Sequence, residues 1–367
     1  MTATPQIIQP ANIQKKLNEI WESIQTTHAT RASLFNLIFY THTDHRSPYI
    51  QRLANNVIKK FPARVIFVTL NTQSEKDYLT TEVSIQSANK GEYDVVCDFI
   101  RLEAGGASQE RIPFVILPHI LPDLPVYLAW AEDPCHDVQL FNQLEKFSNR
   151  LIFDSESTNN LPLFAKKILE MREKSSIDIA DLNWARIESW RDILSSTFYE
   201  SESLEKIKRA KRINITYNAK TSTFFSHTPI QSFYLQAWLA CQLDWKFQKI
   251  TSTDKNHFQI VYQTKDSSLE INMIPMTCEH LPPGLILSTE IFTTLNEHFS
   301  FNRNLEIIEQ ITLNISTPTE CAMPCKFLCS KVEAGHSLVK EIYHRGTSEH
   351  FVSVLNLVKQ MEGVSLC

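Results

Sequence analysis

The stretch SLFNLIFYTHTDHRSPYIQRLANNVIKKFPARVIFVTL, residues 33–70, decides the fold. Residues 33–40 form an unbroken apolar run, the pattern of a strand buried on both faces. Residues 48–61 carry apolar side chains at helical spacing, and Pro48 suits a first helical turn because its missing N–H has no partner there anyway. ARVIFVTL, 63–70, is a second buried strand. Strand, helix and strand at this spacing make a βαβ unit, and two strands joined by such a crossover lie parallel.

The same reading extends in both directions. Ile13, Leu17, Ile20, Trp21 and Ile24 predict an amphipathic helix ahead of the first strand. TEVSIQS and YDVVCDFIRL flank Asn89-Lys90-Gly91 as an inserted hairpin. Residues 108–120 predict a helix despite two prolines. VYLAW, 126–130, is the next core strand, a helix runs from about 138 to 147, RLIFDS, 150–155, is a further strand, and LPLFAKKILEMREK closes this half as a helix. The expected amino-terminal domain, 1–176, is a Rossmann-like α/β unit with a mainly parallel sheet.

Residues 177–367 read differently. ADLNWARIESWRDILSSTFYE predicts one long amphipathic helix from Asp181, its cap, to Phe198. Trp184 and Trp190 then stand at the domain junction, Trp190 buried on the stripe with the Arg186 stem over its edge, Arg191 on its flank. The run KIKRAKR, 206–212, is expected to be a solvated helix face. RINITYN as a strand, a helix through FYLQAWLACQL, at least four strands between 245 and 315 and two closing helices make a mixed α+β domain.

Composition narrows the function. A net charge of −5 carries no basic excess for nucleic acid. The apolar stretch 114–131 contains His119, Asp123 and three prolines, so it cannot be one membrane-spanning helix. MTATPQIIQPANIQKK lacks the apolar region of a secretion signal, and a cytoplasmic protein is expected. The eight cysteines are expected to be free thiols. Cys321, Cys325 and Cys329 recur every four residues, a spacing outside the common zinc patterns. Only seven glycines are present, and neither GxGxxG nor GxxxxGK[ST] occurs. Phosphate cradles need glycine for close backbone approach, so no nucleotide or other cofactor is expected. Gly105-Gly106 is expected to be a turn.

In open parallel sheets, sites lie beyond the carboxyl ends of the strands. His42, Asp44 and His45 resemble the later part of the HxHxDH metal motif, but Tyr40 stands where its first histidine belongs. Ser155 lacks the GxSxG turn of a nucleophile and reads as a cap. Asp123, between prolines, fixes the entry to a strand, and Glu132 and Asp133 could form an acid pair. No constellation here is a complete catalytic set.

DLPVYLAWAEDP, 123–134, resembles a segment of the OpcA family, the glucose-6-phosphate dehydrogenase assembly proteins. TRASLFNLIFY with Arg31, FPARVIFV, NRLIFDS, DLNWARIESWRDILSSTF and AWLACQLDW resemble further segments of that family, in order. Ala129 departs from it, standing where the family favours a second tryptophan. The resemblance implies a non-catalytic protein that binds glucose-6-phosphate dehydrogenase, promotes its active assembly and so controls the oxidative pentose phosphate pathway. The candidate partner- or ligand-binding residues are Arg31, Asp123, Trp130, Arg150, Asp154, Ser155, Arg186 and Arg191. The rival expectation is an enzyme acting on a small phosphorylated sugar or its lactone, with His42, His45 or Asp154 in the cleft.

Overall fold

The structure is a computed structural model and describes residues 6–24, 29–43, 46–87, 94–136, 138–222, 227–254, 256–330, 335–344 and 346–362. Two compact units emerge. One comprises Met1–Asp154, Lys174–Leu182 and Ala334–Gly346, and the other Ser155–Glu173, Asn183–Glu333 and Thr347–Cys367. The expected division between residues 176 and 177 falls inside the short segment by which the chain returns to the first unit.

The first unit is built on β1 (Gln6–Ile8), β2 (Ala29–Arg31), β3 (Asn36–His42), β4 (Arg64–Asn71), β5 (Tyr78–Ser87), β6 (Asp94–Gly105), β7 (Val126–Trp130), β8 (Arg150–Phe153) and β9 (Asp178–Asp181). They form one nine-stranded sheet in the order β1-β5-β6-β4-β3-β7-β8-β9, with β2 beside β6. The sheet is mixed: six of its pairings are parallel and two antiparallel. Pairings from β6 through β4, β3, β7 and β8 to β9 are parallel, while the hairpin partner β5 and then β1 add antiparallel strands beyond β6. β4 lies on one side of β3 and β7 on the other, so the strand order reverses at β3. The crevice of an open α/β sheet forms at such a reversal.

Both central strands are buried nearly from end to end, as their unbroken apolar runs require. The Ser47–Ile58 helix covers them with Tyr49, Ile50, Leu53, Ala54, Val57 and Ile58. At the last residue of β7, the Trp130 ring stacks on Tyr40 at 3.8 Å and meets the edge of Phe141 at 4.9 Å. The helix expected over residues 108–120 is three short pieces in fact: Gly106–Arg111 and Leu117–His119 are 3-10, and only Ile112–Ile116 is α-helical. Pro113 and Pro118 cannot donate and clash with the preceding turn, which accounts for the interruptions.

The second unit holds an eight-stranded sheet of β10 (Ala210–Asn218), β11 (Lys246–Asp254), β12 (His257–Gln263), β13 (Ser268–Met276), β14 (Ile286–Thr293), β15 (His298–Arg303), β16 (Gln310–Ser316) and β17 (Cys325–Leu328). The order is β11-β12-β13-β10-β14-β15-β16-β17, antiparallel except for β10 against β13. Alternate residues along β12 and β13 are buried. The Ile230–Gln242 helix is buried on all sides, packed between the sheet and the Glu349–Val358 helix.

The long helix expected from Asp181 is broken. Asp181 ends strand β9 instead of capping a helix, and Leu182–Arg186 and Glu188–Thr197 are separate helices either side of Ile187. A helix break releases carbonyl groups. The Arg191 guanidinium answers one of them, donating to the Trp184 carbonyl at 2.6 Å.

Trp130→Ala is expected to lower stability by roughly 3–5 kcal/mol, the cost typical of emptying a packed tryptophan site. Urea unfolding of the purified variant beside the parent checks it, and an unchanged midpoint would show that the stack on Tyr40 contributes little.

Candidate functional site

The reversal at β3 brings the ends of β3, β7 and β8 together, and the chain places a carboxylate after each of the latter two. Glu132 Oε1 accepts from the Thr41 hydroxyl at 3.0 Å and from the His42 backbone N–H at 2.9 Å. His42 Nδ1 stands 3.5 Å from the other Glu132 oxygen. Asp154 Oδ2 accepts from Arg46 Nη2 at 2.8 Å, with the two side chains 2% and 3% exposed. Beside Asp154 lies a cavity of about 10 Å³, room for roughly one water, lined also by Phe39, Ala129, Trp130, Ile152 and Leu182.

Glu132 and Asp133 do not act as an acid pair. Asp133 turns back to accept from the Cys135 backbone N–H at 2.9 Å and closes a turn. Of the expected metal motif, Tyr40 is buried in the stack, His42 is engaged with Glu132, and Asp44 and His45 lie outside the described residues. Among the described residues, no group of three or more His, Cys, Asp and Glu side chains could hold a metal ion, and no helix is long and apolar enough to cross a membrane. Cys321 and Cys325 are exposed and Cys329 is half-buried.

The remaining candidates are dispersed. Arg31 donates to Asp98 at 2.6 Å and lies over the Trp21 ring. Arg64 (Nε, 3.0 Å) and the Trp21 indole N–H (2.9 Å) converge on the same carboxylate. Arg150 is buried, donating to Glu341 at 2.8 Å and to the Gly346 carbonyl at 3.0 Å, which fastens the returning Ala334–Gly346 segment beneath β8. Asp123 is exposed.

In the second unit Ser155 accepts from the Asn183 side chain at 3.0 Å, an amide that cannot serve as a base. Arg186 donates to Glu156 at 2.6 Å and to Asn183 at 2.7 Å, and Arg303 lies over the Trp190 ring. Arg191 stacks 3.5 Å above the Trp184 ring. Trp190 is buried, as expected from its stripe.

Trp130 was expected to offer an anchor at the strand end. Its ring is fully buried, so it presents no surface to a partner. Arg46, Arg64 and Asp98 were missed. Their signal was available as charged residues set in or beside apolar strand runs, where burial forces each to find a counter-charge.

An open α/β sheet implies a dinucleotide at this crevice, and the residues present do not fit one. The turn after β3 has no glycine, and Pro48 removes an amide from the first turn of the following helix. The His42 amide and Thr41 hydroxyl already serve Glu132.

Burial raises the Asp98 carboxyl pKa, but the Arg31 hydrogen bond, the Arg64 charge and the Trp21 N–H outweigh it and hold the group below its usual value. A depressed folded pKa contributes stability in full above the unfolded value of about 3.9, and the contribution is lost as pH falls from there through the folded pKa. Asp98→Asn is therefore expected to melt well below the parent at neutral pH, with the gap closing under about pH 4. Melting temperatures across pH 2–7 test this, and a gap that stays constant would remove Asp98 from the acid response.

Comparison with known proteins places these features in context. Residues 54–170 match the family model described as the glucose-6-phosphate dehydrogenase subunit N-terminal domain, and residues 177–321 match that of the C-terminal domain. Among curated proteins, the OxPP cycle protein OpcA of Nostoc punctiforme is 25% identical over 53% of this chain and 41% of its own length. That of Synechocystis sp. is 26% identical over 62% of this chain and 47% of its own length. The chain thus spans about half the length of the curated relatives it matches. Among solved structures, levoglucosan dehydrogenase in complex with NADH and L-sorbose aligns with a TM-score of 0.50 at 10% identity, covering 92% of this chain and 100% of that one, a likeness of fold alone.

Proposed function

The chain belongs to the OpcA family, and from that premise we propose that it is a non-catalytic factor that binds glucose-6-phosphate dehydrogenase and promotes its active oligomer, so controlling flow into the oxidative pentose phosphate pathway. The observation that carries this reading is the pair of family matches at 54–170 and 177–321, both described as domains of a glucose-6-phosphate dehydrogenase subunit.

An activator works by binding the active form of its partner more tightly than the inactive form. A tenfold shift in that equilibrium needs about 1.4 kcal/mol of differential affinity. Contact falls to side chains that reach solvent. Of the candidates, Asp123 is exposed and Arg31 keeps a third of its side chain accessible, while Arg186 and Arg191 are only partly covered. Trp130, Arg150, Asp154 and Ser155 are enclosed and act through the shape they maintain.

Adding the purified chain to the glucose-6-phosphate dehydrogenase of the same organism is expected to raise its activity roughly tenfold at limiting substrate. The two should elute together in size-exclusion chromatography, and the chain alone should turn over neither glucose-6-phosphate nor its lactone. No co-elution and no change in dehydrogenase rate would refute the reading, and turnover by the chain alone would favour the enzyme.

A further inference from the structure

We infer that the crevice at the carboxyl ends of β3, β7 and β8 is an anion site neutralised from within, with Glu132 and Asp154 standing where a nucleotide's phosphates would otherwise sit. This does not depend on the proposed partner.

Three kinds of donor gather there. A backbone amide at a strand end, a neighbouring hydroxyl and a guanidinium at the start of a helix are the groups that receive phosphate in this architecture. In this chain the His42 N–H and Thr41 O–H both go to one oxygen of Glu132, and Arg46 goes to Asp154. Each carboxylate comes from the residue or two just past a neighbouring parallel strand, Glu132 after β7 and Asp154 after β8. Their placement is therefore fixed by the sheet itself and not by a mobile loop.

The electrostatics follow from burial. Removing one member of a buried ion pair leaves the other charge costly, whereas replacing both by apolar groups can be nearly neutral. Arg46 and Asp154 are both closed off from water. Taking away the Asp154 charge leaves a guanidinium that favours any small anion able to enter. The parent chain offers no such demand, because its own carboxylates have met it. The site thus retains the donor chemistry of a nucleotide-binding fold while excluding the nucleotide by charge.

The test uses calorimetric titration and thermal melting of the full chain with NAD+, NADPH and inorganic phosphate. The parent is expected to show no saturable binding of either dinucleotide up to about 1 mM, a range that covers ordinary dinucleotide sites. Asp154→Asn is expected to melt lower than the parent and to recover about 4 °C in ~20 mM phosphate, relative to sodium chloride of equal ionic strength. The double variant Arg46→Met/Asp154→Asn should lose that phosphate response. Should Asp154→Asn fail to fold, Glu132→Ala carries the same measurement, because it frees both the His42 N–H and the Thr41 hydroxyl. Saturable dinucleotide binding by the parent overturns the inference. So does a phosphate response that is absent from the folded single variants or unchanged in the double variant.

Discussion

A charge buried inside a two-sided sheet has no water to turn to, and in this protein that constraint organises the first unit. The central strands are covered on both faces, so every ionised group at their ends must be met by another. Arg46 with Asp154, Arg64 and Arg31 with Asp98, and Arg150 with Glu341 are three solutions to the same problem. Each ties together segments far apart in sequence. Buried pairs of this kind add little net stability over an apolar replacement, but they are unforgiving of rearrangement. Their contribution is to fix one packing of the strands among several that hydrophobic burial alone would accept.

That constraint also separates architecture from activity. The strand order reverses at β3, as in folds that hold nucleotides, yet the position is filled by the chain's own side chains. Fold does not imply function, and here the decisive evidence lies in what the donors touch.

The legibility of this molecule in its sequence divides along physical lines. Strands β3, β4 and β7 could be read directly, because a strand buried on both faces is apolar along most of its length and such runs stand out. The buried stripe of the first helix, with Ile13, Leu17, Ile20 and Trp21, was equally plain. Strand β9 was not: four residues beside a strong helical pattern carry too little periodicity, and Asp181 looked like a helix cap. The break at Ile187 was hidden for a related reason, since the apolar stripe runs through it and the Arg191 contact that stabilises it is tertiary. At the candidate site, Asp154 and Trp130 were named but their surroundings were not. Sequence spacing shows which residues fall at strand ends and not whether those ends are open.

The first unit draws on three separate stretches of chain, the last of them Ala334–Gly346. Synthesis proceeds from the amino terminus, so all nine strands of the sheet are made well before the helix His336–Tyr343 and the carboxylate of Glu341 that faces Arg150. Until then the nascent chain carries a buried-site arginine still in need of its partner and an uncovered flank on the Ser47–Ile58 helix. Contacts across nearly two hundred residues close slowly, and sheets awaiting them are exposed to mispairing. Closure of the first unit therefore waits on residues made long after strand β9, and an excised stretch ending at β9 would be a different molecule from the one that the whole chain forms.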